Sequence, residues 1–171
     1  TLVDTLGADT ARLFTMFTAP PEQSLEWSDE GVQGASRFLK RIWKAVHIHI
    51  AGGLAGPVAP ADLNQHQKVL RRQVHQTLAK VSDDIGRRRT FNTAIAAVME
   101  LLNALNRVEV STPEDRAVVQ EALELTVLML SPIVPHICHR LWNVLGHQGA
   151  VIDESWPLPD ASALIADTRE I

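Results

Sequence analysis

Apolar residues recur at spacings of three and four through segment after segment of this 171-residue chain, and proline or paired glycine punctuates the runs. That period stacks apolar side chains into one stripe of a helix, whereas a half-buried strand needs alternation by two, and no hairpin turn joins two alternating runs. The expected fold is all-α: an antiparallel helical bundle of about four main helices, with an N-terminal helix and an extended C-terminal tail as appendages.

The first helix is predicted over residues 8–18, with Ala11, Leu13, Phe14 and Phe17 inward, and Pro20-Pro21 forbids its continuation. A linker follows to Glu26. Ser28 is placed to cap a second helix with Trp27 packed on Val32, and the stripe Ala35, Phe38, Leu39, Ile42 and Val46 faces the core until Gly52-Gly53 ends it. A third helix over 61–85 buries Leu70, Val74, Leu78, Val81 and Ile85 and leaves Lys68, Arg72 and His75 outside. The turn Arg87-Arg88-Arg89-Thr90 leads into a fourth helix over 91–107. Thr112, Pro113, Glu114 and Asp115 announce a fifth, whose run EALELTVLML is apolar nearly all round and belongs at the centre. A short sixth carries Ile137, Leu141, Trp142 and Leu145, and the tail from Val151 is expected to lie over the bundle with Trp156 packed back. The domain boundaries that follow are 1–26 for a connecting segment, 27–160 for the helical domain and 161–171 for the start of a further connection.

Forty-six per cent hydrophobic residues and 21% charged ones exclude a disordered chain. The single cysteine, Cys138, cannot form an internal disulfide, and no run of 18 apolar residues or signal-peptide pattern is present, so a reducing, cytoplasmic setting without membrane contact is expected. The formal net charge of −4 hides a strong asymmetry. Between Arg37 and Arg89 eleven basic residues face three acids, a net of +8, while the rest of the chain carries −12. One face is thereby suited to a polyanion and another is not.

Four cations on the second helix, Arg37, Lys40, Arg41 and Lys44, have no interleaved acid. Like charges at these spacings repel by a few tenths of a kcal/mol per pair, which phosphates would relieve. With Arg71, Arg72 and His75 on the third helix and Arg87, Arg88 and Arg89 in the turn after it, these residues form the candidate nucleic-acid-binding set. The plain alternative is a solvated polar face, or a helical protein-interaction scaffold with a basic surface. His47-x-His49 and His136-x-Cys138-His139 lack the spacing of a metal site, and no paired carboxylates, glycine loop or serine elbow suggests catalysis. Trp27, Trp43, Trp142 and Trp156 read as packing residues, Trp43 at the edge of its stripe, and Asn92 as a cap or turn residue.

Three strings carry a family resemblance. GADTARLFTMFTAPPEQSLEWSD, from Gly7, resembles the segment that follows the KMSKS signature of bacterial leucyl-tRNA synthetases and leads into their helical tRNA-binding domain. FNTAIAAVMELLNAL and LSPIVPHICHRLW resemble two later signatures of that domain, which isoleucyl and valyl relatives share. The resemblance implies a class I synthetase domain of the anticodon-binding type, with tRNA(Leu) and the remaining domains of the parent as partners. It further implies phosphate-backbone contacts rather than anticodon readout, a monomeric parent, and a role for Asn92 in anchoring the arginine turn. ATP and Mg would belong to the parent's catalytic domain, and no cofactor to this chain. HIGH, KMSKS and the editing domain are not in the sequence, and His139-Arg140 stands where many relatives carry acids. The start without Met is expected to reflect excision from a longer protein.

Overall fold

A computed structural model of the chain describes residues 1–20 and 22–166. Pro21 of the expected Pro-Pro break and residues 167–171 of the tail lie outside the described residues. The described residues form eight α-helices and no strand: α1 (Leu2–Leu6), α2 (Ala8–Thr18), α3 (Asp29–Ala51), α4 (Gln65–Asp83), α5 (Phe91–Leu105), α6 (Pro113–Leu130), α7 (Pro135–Val144) and α8 (Ala161–Leu164). None of the helices is long and apolar enough to cross a membrane.

Local chemistry sets the ends. The Ser28 hydroxyl accepts from the Gly31 amide and starts α3, while Thr112 and Asp115 form a capping box around Pro113 and start α6. The third predicted helix is shorter than expected. A 3₁₀ turn at Pro60–Asp62 precedes a fresh cap at Asn64, whose side-chain oxygen accepts from the Gln67 amide while the Gln67 side-chain oxygen accepts from the Asn64 amide. At its other end α4 passes into a π-helical turn, Asp84–Arg88, and Arg89 closes it in the left-handed conformation with φ 57°.

Helix α6 packs against α3, α4, α5 and α7, which explains its apolar circumference. Its Val119, Ala122, Leu123, Val127 and Leu130 meet Ile42 and Val46 of α3, Val74, Leu78 and Val81 of α4, and Ile95, Val98 and Leu102 of α5 in one core. Helix α4 runs alongside α6 in the same sense, with Gln67 at Asp115 and Arg71 at Glu121.

Two aromatic placements differ from expectation. Phe17, in the last turn of α2, borders an open cavity with Phe38 of α3 and Met99 of α5 rather than filling the core, and stays 40% exposed. Trp27 is 61% exposed, with its ring edge-on to Phe14 at 5.5 Å. In the tail, Trp156 does reach the bundle, its indole N–H donating to the Ser82 hydroxyl at 2.9 Å.

Candidate nucleic-acid interface

Helix α3 positions the strongest part of the candidate set. Its core stripe fixes the opposite face outward, and Arg37, Lys40, Arg41 and Lys44 are all exposed there. None of the four lies within ion-pair distance of a carboxylate among the described residues. Arg41 donates to the side-chain oxygen of Asn103 on α5, and Arg37 and Met99 line the same 650 Å³ cavity. Arg37 and Arg41 are one helical turn apart on α3, as Met99 and Asn103 are on α5, so the two helices run in the same sense.

The arginine turn is organised by a buried acid. Asp84 is 1% exposed and receives Lys80 Nζ at 2.7 Å, Arg88 Nη1 at 3.2 Å and the Thr93 hydroxyl at 2.8 Å. Burial pushes the Asp84 carboxyl upward, but the bonds from Lys80 and Thr93 hold it below the ordinary value. Arg87 makes two bonds to Asp83, at 2.6 and 2.8 Å, across an exposed pair that contributes little stability. The turn therefore presents Lys80, Arg87, Arg88 and Arg89 against two carboxylates, and only Arg89 has no acidic partner among the described residues. Thr93, not Asn92, ties this turn to α5; the Asn92 side-chain oxygen is buried without a hydrogen-bond partner. Along α5, Arg37 beside Met99 is about eight residues, roughly 12 Å, from the turn.

Two of the α4 candidates are inside the protein. Arg71 and His75, expected on or near the outer surface, are 7% and 4% exposed. Arg71 Nε donates to Glu121 at 3.0 Å and its Nη2 to Asp160 at 3.0 Å, while His75 Nε2 donates to Glu121 at 2.5 Å. Packing is the cause. Glu121 on α6 faces α4 because the two helices run side by side in one direction, and a half-buried carboxylate requires partners. Burial pushes Glu121 upward, but His75 and Arg71 hold its carboxyl below the ordinary value. Arg72 is partly buried and donates through Nη2 to the Ile165 carbonyl at 3.1 Å, so it too holds the tail. These three residues join α4, α6 and α8, and of the candidate set only the α3 cations and Arg89 are exposed without a carboxylate partner among the described residues.

Cys138 is 1% exposed and burial pushes its thiol upward, which leaves it a packing residue without thiolate reactivity. Among the described residues no three His, Cys, Asp or Glu side chains are grouped to hold a metal ion.

Residues 67–171 match the family described as the anticodon-binding domain of tRNA ligase. The chain is 65% identical to the leucine–tRNA ligase of Thioalkalivibrio sulfidiphilus and 64% identical to that of Marinobacter nauticus, over 99% of its own length in both cases. It covers 21% and 20% of those proteins, so it spans about a fifth of the length of the curated relatives it matches. Among solved structures it superposes on the Agrobacterium radiobacter K84 leucyl-tRNA synthetase in a ternary complex with tRNA and LeuAMS, with a TM-score of 0.83 and 28% identity. That match covers 97% of this chain and 21% of the other.

Proposed function

The chain belongs to the family of anticodon-binding domains of tRNA ligases, and from that premise we propose that it holds tRNA(Leu) by its sugar–phosphate backbone within a leucine–tRNA ligase. The observation that carries this reading is the outer face of α3, where four exposed cations stand together with no carboxylate among the described residues within ion-pair distance. Phosphate contacts of this kind fix register and orientation without reading bases. Their consequence for the ATP-dependent reaction is indirect: holding the tRNA body aims its acceptor end at a catalytic site elsewhere in the ligase, where ATP and Mg act.

The rest of the ligase also needs a docking surface. Met16, Phe17, Leu25 and Trp27 are exposed around the end of α2 and the segment after it. This apolar group supports residues 1–26 as the connection to the catalytic domain, with residues 161–171 leading towards a further one.

The test uses the 171-residue chain and a tRNA(Leu) transcript across a salt series. Log affinity should fall against log salt with a slope of about −3 to −5 for four to six neutralised phosphates. Replacing Arg37, Lys40, Arg41 and Lys44 together with Gln should reduce that slope by about 3. An unchanged slope in the quadruple variant removes α3 from the interface.

A further inference from the structure

Beside the cation stripe, on the flank of α3 that faces α1 and α7, lies a shallow cleft of about 280 Å³. Trp43 forms one wall, Leu6, Leu39 and Ile137 supply an apolar lining, and Lys40 and Ser36 add the polar groups. Resting on the proposal that RNA runs along α3, we infer that this cleft receives the base of a single unstacked nucleotide, placed against Trp43, with its phosphate at Lys40 and Lys44.

Four observations support a base as the occupant. Trp43 is 39% exposed although it lies on a helix with a complete core stripe, so its ring is surplus to the bundle's own packing. Its orientation is nevertheless fixed: the His47 ring stacks on it at 4.3 Å, and His47 Nδ1 donates to the Trp43 carbonyl at 2.9 Å. A preset indole offers a planar surface to any base, independent of sequence. Second, Ser36 is 5% exposed, and its hydroxyl has no hydrogen bond among the described residues, whereas Thr10 across the cleft bonds back to the Leu6 carbonyl at 2.8 Å. A hydroxyl both donates and accepts, and can meet the edge of any base. Third, Lys40 lines the cleft and exposed Lys44 follows Trp43 in sequence, which matches an aromatic platform to the charge of the same nucleotide's backbone. Fourth, the acid near this end, Asp9, is engaged by Arg12 at 3.2 Å and by the Ile137 amide at 2.7 Å, and does not offer the cleft a free negative charge. The volume lies just below the range of about 300–1,000 Å³ for small-molecule sites, which suits one base.

The test compares two probes on the 171-residue chain: single-stranded hexauridylate carrying 5-iodouridine, and a blunt 12-base-pair RNA duplex. Photocrosslinking of the hexamer, mapped by mass spectrometry, should mark Trp43. Trp43→Ala should weaken hexamer binding about tenfold, the effect of losing one stacked base, and change duplex binding by less than about twofold. Trp43→Phe, which keeps an aromatic face, should restore most of the hexamer affinity and guards against a mere folding defect, which would reduce both probes. Ser36→Ala should weaken the hexamer selectively. A crosslink elsewhere, or equal losses for hexamer and duplex with Trp43→Ala, overturns the cleft while leaving α3 as a phosphate-binding face. Failure of the unaltered chain to bind either probe overturns that reading and the cleft with it.

Discussion

The backbone amide of Asp160 donates to Nδ1 of His75 at 3.0 Å. An imidazole nitrogen that accepts cannot carry a proton, so His75 is held as the Nε2–H tautomer and aims that N–H at Glu121. The same Asp160 takes Arg71 on its carboxylate. One residue of the tail thus uses its backbone and side chain to close a network whose other members lie on α4 and α6, which turns a histidine and an arginine of apparent RNA-binding type into fasteners.

Arg71→Met should therefore be costly for the fold and silent for RNA. Removing the guanidinium leaves half-buried Glu121 with only His75 and frees Asp160, a loss of about 3 kcal/mol by analogy with broken buried pairs. Urea denaturation should show that loss, and hydrogen exchange should accelerate around Asp160 and Ser162 first. The salt slope of tRNA binding should stay within experimental error; a drop by a full unit would return Arg71 to the interface.

Stability should fall in two stages as the pH is lowered. Burial holds His49 below the ordinary histidine value, so between that folded value and about 6.5 the unfolded chain binds the extra proton and stability declines as pH drops. The carboxylates act later. Asp160 is pulled down to about 2 by the Ser162 hydroxyl and Arg71, and Glu121 is also held low, so their contribution is present above about pH 4 and is lost as pH falls through the folded values. Denaturation midpoints measured from pH 7.5 to 3 check this, and His49→Gln should flatten the upper stage alone.

Signals that act within one turn of helix were legible in the sequence, and the fold followed from them. Ser28, Thr112 and Pro113 start helices where their chemistry predicts, and the stripe from Ala35 to Val46 is buried throughout. What depends on a partner distant in sequence was not legible. His75 looks like an outer residue on the α4 pattern until Glu121, 46 positions later, is placed opposite it. Arg87 and Arg88 looked free because a count of charges by region treats Asp83 and Asp84 as background, although both sit at the i−4 spacing of a helical ion pair. The α3 cations were readable because no carboxylate among the described residues intercepts them.

Gln120 should prove one of the most sensitive uncharged side chains of the bundle. Its amide oxygen accepts from His49 Nε2 at 3.1 Å and from the Ala55 amide at 2.6 Å, and its nitrogen donates to the Ala55 carbonyl at 3.0 Å. It thereby fastens the loop after α3 to α6. That loop is further held by Arg116, which donates to the carbonyls of His49 and Gly53 so closely that a Cβ at Gly52 would collide with its guanidinium. Gln120→Leu fills the space but leaves the His49 and Ala55 groups unpaired, a cost of about 2 kcal/mol. Restoring near-wild-type stability with Gln120→Glu, which keeps both acceptors but not the donor, would contradict the importance given to the Ala55 carbonyl.

Arg89→Gly separates stability from binding at a single position. Arg89 occupies the left-handed region at φ 57°, ψ 32°, a conformation that costs a side-chain-bearing residue about 1–2 kcal/mol and glycine almost nothing. Part of that relief is offset by the greater freedom of glycine in the unfolded chain, about 0.5–1 kcal/mol, so the variant should be more stable by roughly 0.5 kcal/mol. If Arg89 meets a phosphate, the variant should bind tRNA more weakly, with its salt slope reduced by about 0.7–0.9, whereas Arg87→Gly should change it less because Asp83 already neutralises that guanidinium. A more stable variant with an unaltered slope would show that the corner at Arg89 lies off the RNA path.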